Sequence, residues 1–202
     1  MSADPLPDDV VRRLAMRRGH FKLASGHHGN LWLDLELLCL RPLAIRQLAV
    51  ELARRLARYD IGTVCGPLVE GAFVALMVAS ELDVEFSYAE RFAPARSDAL
   101  YPVQYRIPSA LRERVRGKRV AIVNDVINAG SAVRGTFTDL QSCGAEVVAV
   151  GALLVLGLSA TGLATERNMA LENIASLPNE VWTPSECPLC AAEVPLNQPS
   201  EA

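Results

Sequence analysis

The residues best placed to do chemistry are Asn124, Asp125 and the short run Asn128-Ala129-Gly130-Ser131-Ala132. They follow Val120-Ala121-Ile122-Val123, an apolar stretch that reads as a fully buried strand. A carboxylate where such a strand leaves the core should face a polar ligand, because an unpaired buried charge is costly. The run after it is small, carries a glycine and opens onto a helical pattern over 132–143. Free backbone N–H groups and the positive end of that helix then converge on one point. Gly130 permits close backbone approach, and Ser131 adds a hydroxyl donor. The arrangement suits a phosphate monoester, with Asp125 about a sugar's length away to accept from sugar hydroxyls. A strand-to-helix turn with a capping serine would explain a lone Gly-Ser; it does not call for the acid between strand and loop. The loop matches neither G-x-G-x-x-G nor G-x-x-x-x-G-K-[ST].

The elements that must hold this loop can be read on either side of it. The pattern predicts a short helix over 10–18, ended by Gly19, then strands at 21–23 and 31–35 around the turn at 25–30. Pro42 opens a long helix with Leu43, Leu48, Leu52 and Leu56 as its apolar face. Strands at 61–65, 84–89, 119–124 and 147–155 alternate with helices at 71–82 and 132–143. Between them, 91–108 is irregular, and beyond Leu158 the pattern weakens into a polar tail. Strands alternating with helices imply an α/β fold: a mostly parallel sheet flanked by helices, with ligands at the carboxyl ends of the strands.

The bulk numbers agree with one domain over residues 1–202. The chain has 202 residues, 50% hydrophobic and 21% charged, with a formal net charge of −3. An acidic balance disfavours nucleic acid as a partner. The polar, acidic start at residues 1–9 is unlike a secretory signal, and the longest apolar run, 147–158, is too short for a membrane span of roughly 20 residues. A cytoplasmic protein with no membrane partner is the expectation. Of the five cysteines, Cys39, Cys65 and Cys143 read as buried thiols. Cys187 and Cys190 have the spacing of half a zinc site, and a metal, a disulfide or a reduced structural turn all remain open.

The stretch from Val120 to Ala132 resembles the 5-phosphoribosyl 1-pyrophosphate (PRPP) signature of the type I phosphoribosyltransferases, an apolar strand running into two acids and a phosphate loop. The resemblance extends to the orotate branch. Gly19-His20-Phe21-Lys22-Leu23-Ala24-Ser25-Gly26 is similar to its N-terminal element, and Gly66-Pro67 through Glu70-Gly71 to its pyrophosphate loop. The tail through Cys187-Pro188-Leu189-Cys190 is similar to the C-terminus of one bacterial subgroup. The resemblance implies the type I phosphoribosyltransferase fold, with a hood from about 1–40 and 160–202 over a core of about 41–159.

It also implies an enzyme, a pentosyltransferase of pyrimidine nucleotide biosynthesis, that joins a base, orotate first, to PRPP with release of pyrophosphate. Asp125 and Asn124 would be catalytic, with Arg91 clamping the site from a mobile loop at 91–106. Residues 128–132 would take the 5′-phosphate, Gly66, Pro67, Glu70 and Gly71 the pyrophosphate, and Phe21, Lys22, Ser25 and Gly26 the base. Mg²⁺ would be the cofactor, reaching Asp125 through the substrate, and a homodimer the assembly. His20, His27 and His28 lie in the hood element; the His27-His28 pair reads as an exposed turn, and the alternative is base contact or proton handling near neutral pH.

The chain departs from the pattern at four places. Asn124 replaces the first acid, Glu70 stands where a small residue is usual, and 156–162 lacks the customary arginine. The only lysines are Lys22 and Lys118, so the 91–106 loop has none. Arginine binds phosphate but cannot give up a proton. These departures favour two alternatives: a PRPP- or nucleotide-binding homologue with weak or no catalysis, or another base as substrate.

Overall fold

The computed structural model describes residues 16–23, 26–92 and 104–197. At the N-terminal side, β1 (Met16–Lys22) and β2 (His28–Leu33) form an antiparallel hairpin. A 3-10 turn at Leu35–Leu40 leads into α1 (Pro42–Leu56). The main sheet follows: β3 (Thr63–Pro67), α2 (Glu70–Leu82), β4 (Glu85–Phe92), β5 (Gln104–Arg106), α3 (Ser109–Val115), β6 (Arg119–Ile127), α4 (Ser131–Ser142), β7 (Glu146–Leu156), α5 (Ser159–Glu166) and β8 (Ala170–Leu177). The tail adds β9 (Val181–Trp182) and the single turn α6 (Pro188–Ala191).

The main sheet runs in the order β5-β4-β3-β6-β7-β8, with only the β4–β5 pair antiparallel. Its central strands β3, β6 and β7 are buried on both faces. Along β6, Ala121 and Val123 meet one core with Leu48, Leu52 and Val74, while Val120 and Ile122 meet a second with Val133, Phe137 and Leu140. The sheet is therefore covered by α1 and α2 on one side and by α4 on the other. From β3 the chain moves outward through β4, and from β6 it moves the opposite way through β7. Strand order thus reverses between β3 and β6, which opens a crevice at their carboxyl ends.

Several expectations are corrected. Residues 16–18 are strand, not helix, because they pair with Leu33, Trp32 and Leu31; residues 10–15 lie outside the described set. In α1 the inward positions are Ile45, Leu48, Leu52 and Leu56, whereas Leu43 is 79% exposed. At 100° per residue Leu43 falls on the side opposite Ile45. The stretch at 91–108 begins and ends as paired strand: Glu90, Arg91 and Phe92 face Arg106, Tyr105 and Gln104. Arg96 lies outside the described residues. Beyond Leu158 the core continues, since β8 completes the sheet beside β7. Residues 160–177 therefore belong with the core and not with the hood; an edge strand buries little of itself, so its apolar signal is faint. The remainder of the tail does join the N-terminal hairpin, through pairing of β9 with β2. Among the described residues no helix is long and apolar enough to cross a membrane.

Candidate active site

The crevice between β3 and β6 holds a cavity of about 620 Å³ lined by Pro67, Glu70, Gly71, Glu90, Arg91, Tyr105, Asn124, Asp125 and Ala132, with Leu35 on the hairpin side. The sheet explains this gathering. Gly66 and Pro67 end β3, Asn124 and Asp125 stand near the end of β6, and Arg91 reaches the same rim from β4. Three stretches far apart in sequence thus deliver their chemistry to one edge of the sheet.

Asp125 is only 4% exposed. Burial pushes its carboxyl up from 3.8 to about 6; N–H groups of Val126 and Asp125 itself oppose the rise, and the nearby Glu70 carboxylate adds to it. Asn124 is buried beside it. Its Nδ2 donates to the Val126 carbonyl at 2.9 Å, a bond that a carboxylate could not make. Its Oδ1 occupies the space beside Gly71: a Cβ on that glycine would lie 2.0 Å away. Asn124 thereby fixes the strand end against the start of α2.

The loop after β6 is shorter than the sequence suggests, because β6 continues to Ile127. Gly130, at φ +77°, turns the chain into α4, whose first residue is Ser131. No side chain among the described residues caps that helix, so its first N–H groups face outward unclaimed by the fold. Ala129 and Ser131 are exposed, and they open on an adjoining cavity of about 590 Å³ that also includes Arg134 and Thr138. Ala132 lines the first cavity, and Tyr105 lines both. Asn128 accepts a hydrogen bond from Asn179 at 2.9 Å. Of the two cavities, the first is the one that brings Glu70, Asp125 and Arg91 together.

At the β3–α2 turn, Leu68 N donates to the Ala89 carbonyl at 2.9 Å, tying the loop to β4. Glu70 sits in the first turn of α2, where the helix end favours an acid. Glu70 and Asp125 offer only oxygen donors, which fits a hard cation such as Mg²⁺; such an ion would also ease their mutual repulsion. Tyr105 could not be picked out from sequence. Burial raises its phenol, while Arg91 and Asp125 pull it in opposite senses, so all three share one field. The signal available was alternation within 104–106, too short to read alone.

Of the predicted base contacts, Phe21, Lys22 and Gly26 are not among the residues that line this cavity. Phe21 is buried against Trp32 at a ring separation of 5.8 Å, Lys22 is exposed, and Gly26 lies in the hairpin turn. Ser25 lies outside the described residues. His20 and His28 are not exposed and do not line the cavity. Both are buried and face Cys187 and Cys190 from the tail; only His27 stays in the turn.

Comparison with known proteins agrees with this geometry. A family model described as "Phosphoribosyl transferase domain" matches residues 40–171. An orotate phosphoribosyltransferase of Desulforamulus reducens is 30% identical, covering 98% of this chain and 97% of the relative. Another, from Thermotoga maritima, is 29% identical over 92% of this chain and 91% of its own length. Among solved structures, the orotate phosphoribosyltransferase of Aeropyrum pernix superposes with a TM-score of 0.63 at 26% identity, over 86% of this chain and 94% of that one. An adenine phosphoribosyltransferase from Thermoanaerobacter pseudethanolicus shares the fold with a TM-score of 0.66 at 16% identity, over 84% of this chain and 99% of that one.

Proposed function

Because the chain belongs to the phosphoribosyl transferase domain family, we propose that it transfers the phosphoribosyl group of PRPP to a ring nitrogen of orotate. The bond from the anomeric carbon to pyrophosphate breaks as the carbon–nitrogen bond forms, giving a nucleoside monophosphate. One observation carries this reading: a buried carboxylate, Asp125, shares a cavity with Arg91 and the β3–α2 turn, next to an uncapped helix end.

In this reading Asp125 accepts hydrogen bonds from the ribose hydroxyls and faces the positive charge that develops on the sugar. The N–H groups at 128–132 take the 5′-phosphate. The turn from Gly66 through Pro67 and Glu70 to Gly71 holds the pyrophosphate, and Arg91 neutralises it as it departs. Asn124 keeps the end of β6 in place. Mg²⁺, bound with the substrate, would supply charge neutralisation at the pyrophosphate.

The test is an assay of pyrophosphate release from PRPP and Mg²⁺ across a panel of bases, paired with thermal melting. PRPP at about a hundred times its Kd should stabilise the protein by about 2.7 kcal/mol, a rise of roughly 5–10 °C. Orotate should give the highest kcat/KM. No thermal shift would sink the proposal altogether. A shift without turnover on any base would favour a second reading, PRPP binding without catalysis; the missing first acid at Asn124 and the lysine-free segment at 91–106 support it.

The same family premise, with one surface feature, supports a homodimer. Leu40, Leu43, Phe73 and Leu76 are all exposed, on α1, α2 and the 3-10 turn that precedes them. Exposed apolar side chains on elements that pack against one another are what a surface covered by a second copy would present. Light scattering should give twice the chain mass, falling toward the chain mass in Leu43→Glu; a monomeric native protein would overturn the assignment.

A further inference from the structure

We propose that His20, His28, Cys187 and Cys190 form a tetrahedral zinc site that fastens the C-terminal tail to the N-terminal hairpin. One ligand atom from each residue lies within 4.8 Å of the others. The individual separations narrow the chemistry further. His20 Nε2 is 3.0 Å from His28 Nδ1, 3.4 Å from Cys187 Sγ and 3.7 Å from Cys190 Sγ. Cys190 Sγ is 3.2 Å from His28 Nδ1. A tetrahedral zinc with its usual bond lengths to nitrogen and sulfur needs about 3.3 Å between two nitrogens and about 3.6 Å between nitrogen and sulfur. Each observed separation comes within about 0.4 Å of that geometry.

The protonation pattern points the same way. His20 Nδ1 lies 2.7 Å from the Val194 carbonyl, an oxygen that can only accept. The ring proton therefore sits on Nδ1 and leaves the Nε2 lone pair directed into the cluster, the arrangement that orients a metal-bound imidazole. His20, His28 and Cys187 are 1%, 6% and 2% exposed, so water does not complete this group. Two thiolates with two neutral imidazoles balance a dication and favour zinc over Mg²⁺ or Ca²⁺. All five cysteines are free, so no disulfide competes for the pair.

The fold also gives the site something to do. The helical turn α6 has no buried residue, and β9 pairs with β2 at only His28–Trp182 and Gly29–Val181. Beyond these, the hydrogen bonds that join tail to hairpin outside the cluster are few: Asn30 Nδ2 donates to Glu180 Oε2, His20 Nδ1 to the Val194 carbonyl and His20 N to Asn197 Oδ1, while Asn197 N donates to the His20 carbonyl. Apolar burial is too slight to anchor it. A metal joining β1, β2 and the tail would anchor it through four strong bonds.

The experiment measures metal in the full-length protein, purified under reducing conditions without chelator. Elemental analysis should find about one zinc per chain, as a four-ligand site holds one ion. Cys187→Ser and Cys190→Ser should each lower bound zinc at least tenfold. Because Cys190 is exposed, its serine variant keeps the test meaningful if Cys187→Ser does not fold. Cobalt added to metal-free wild type should produce intense tetrahedral ligand-field bands and a thiolate-to-cobalt charge-transfer band. The proposal is overturned by a zinc-free protein that gives no tetrahedral cobalt spectrum, by zinc retained in both serine variants, or by a Cys187–Cys190 disulfide in the reduced preparation.

Discussion

Asp125→Asn is expected to abolish turnover while making the ligand-free protein more stable. The loss follows from the proposed role: without the carboxylate, nothing at the sugar faces the developing positive charge, and kcat/KM should fall by about 10²–10³-fold. The gain follows from burial. The carboxyl of Asp125 titrates at about 6 in the fold against an ordinary 3.8. Between those two pH values the folded state binds the proton more tightly than the unfolded chain. Stability therefore falls as pH rises from about 4 to about 6, and the deficit is complete above that window. Two pH units correspond to on the order of 3 kcal/mol. Asn124, next along the strand, already shows that an amide is tolerated in this buried setting. Melting curves of both proteins at pH 4, 6 and 8 check the claim. The variant should melt several degrees higher at pH 8 and nearly level with wild type at pH 4. Equal melting at all three values would mean that Asp125 is not held at a cost.

Gly66→Ala is expected to cost more than any other single-methyl change near the site. The new Cβ would lie 2.6 Å from Ala75 Cβ and 2.7 Å from both Ala72 Cα and the Gly71 carbonyl oxygen. All three atoms belong to α2, and two are backbone, so the helix itself has to move. Overpacking of this kind costs about 1–3 kcal/mol, or roughly 3–10 °C in melting temperature. Glu70 and Gly71 begin that helix and line the cavity, so the stabilisation by PRPP should vanish as well. Gly71→Ala makes an instructive contrast. There the conflict is with Asn124 Oδ1, a side-chain atom, so binding should suffer more than stability. A Gly66→Ala protein that melts like wild type and still responds to PRPP would refute the packing argument.

The sequence carried the centre of this fold more clearly than its margins, for physical reasons. β6 was legible because a strand buried on both faces must be apolar throughout, and because Asp125 interrupts that run where it meets the cavity. The strand-to-helix turns at Gly66 and Gly130 were legible from small residues at the right spacing. Residues 16–18 and 104–106 were not. Their strand character comes from partners that the local pattern does not name: Leu31 to Leu33 for the first, Glu90 to Phe92 for the second. Tyr105 was missed for the same reason, and β8 because it lies at the sheet's edge. The cysteine spacing at 187–190 was visible, yet the other two members of the four-residue cluster, His20 and His28, stand at the other end of the chain, where His28 passed for a turn residue.

β2 lies between a strand made before it and one made only after the whole main sheet. Every strand of the main sheet falls between residues 63 and 177, so that sheet is fully encoded before its small neighbour has its third member. As the chain leaves the ribosome, the hairpin of β1 and β2 emerges before the main sheet and gains its third strand after it. Anything that lengthens the wait for residue 182 leaves one edge of β2 open, with His28 uncovered, while the main sheet is already built.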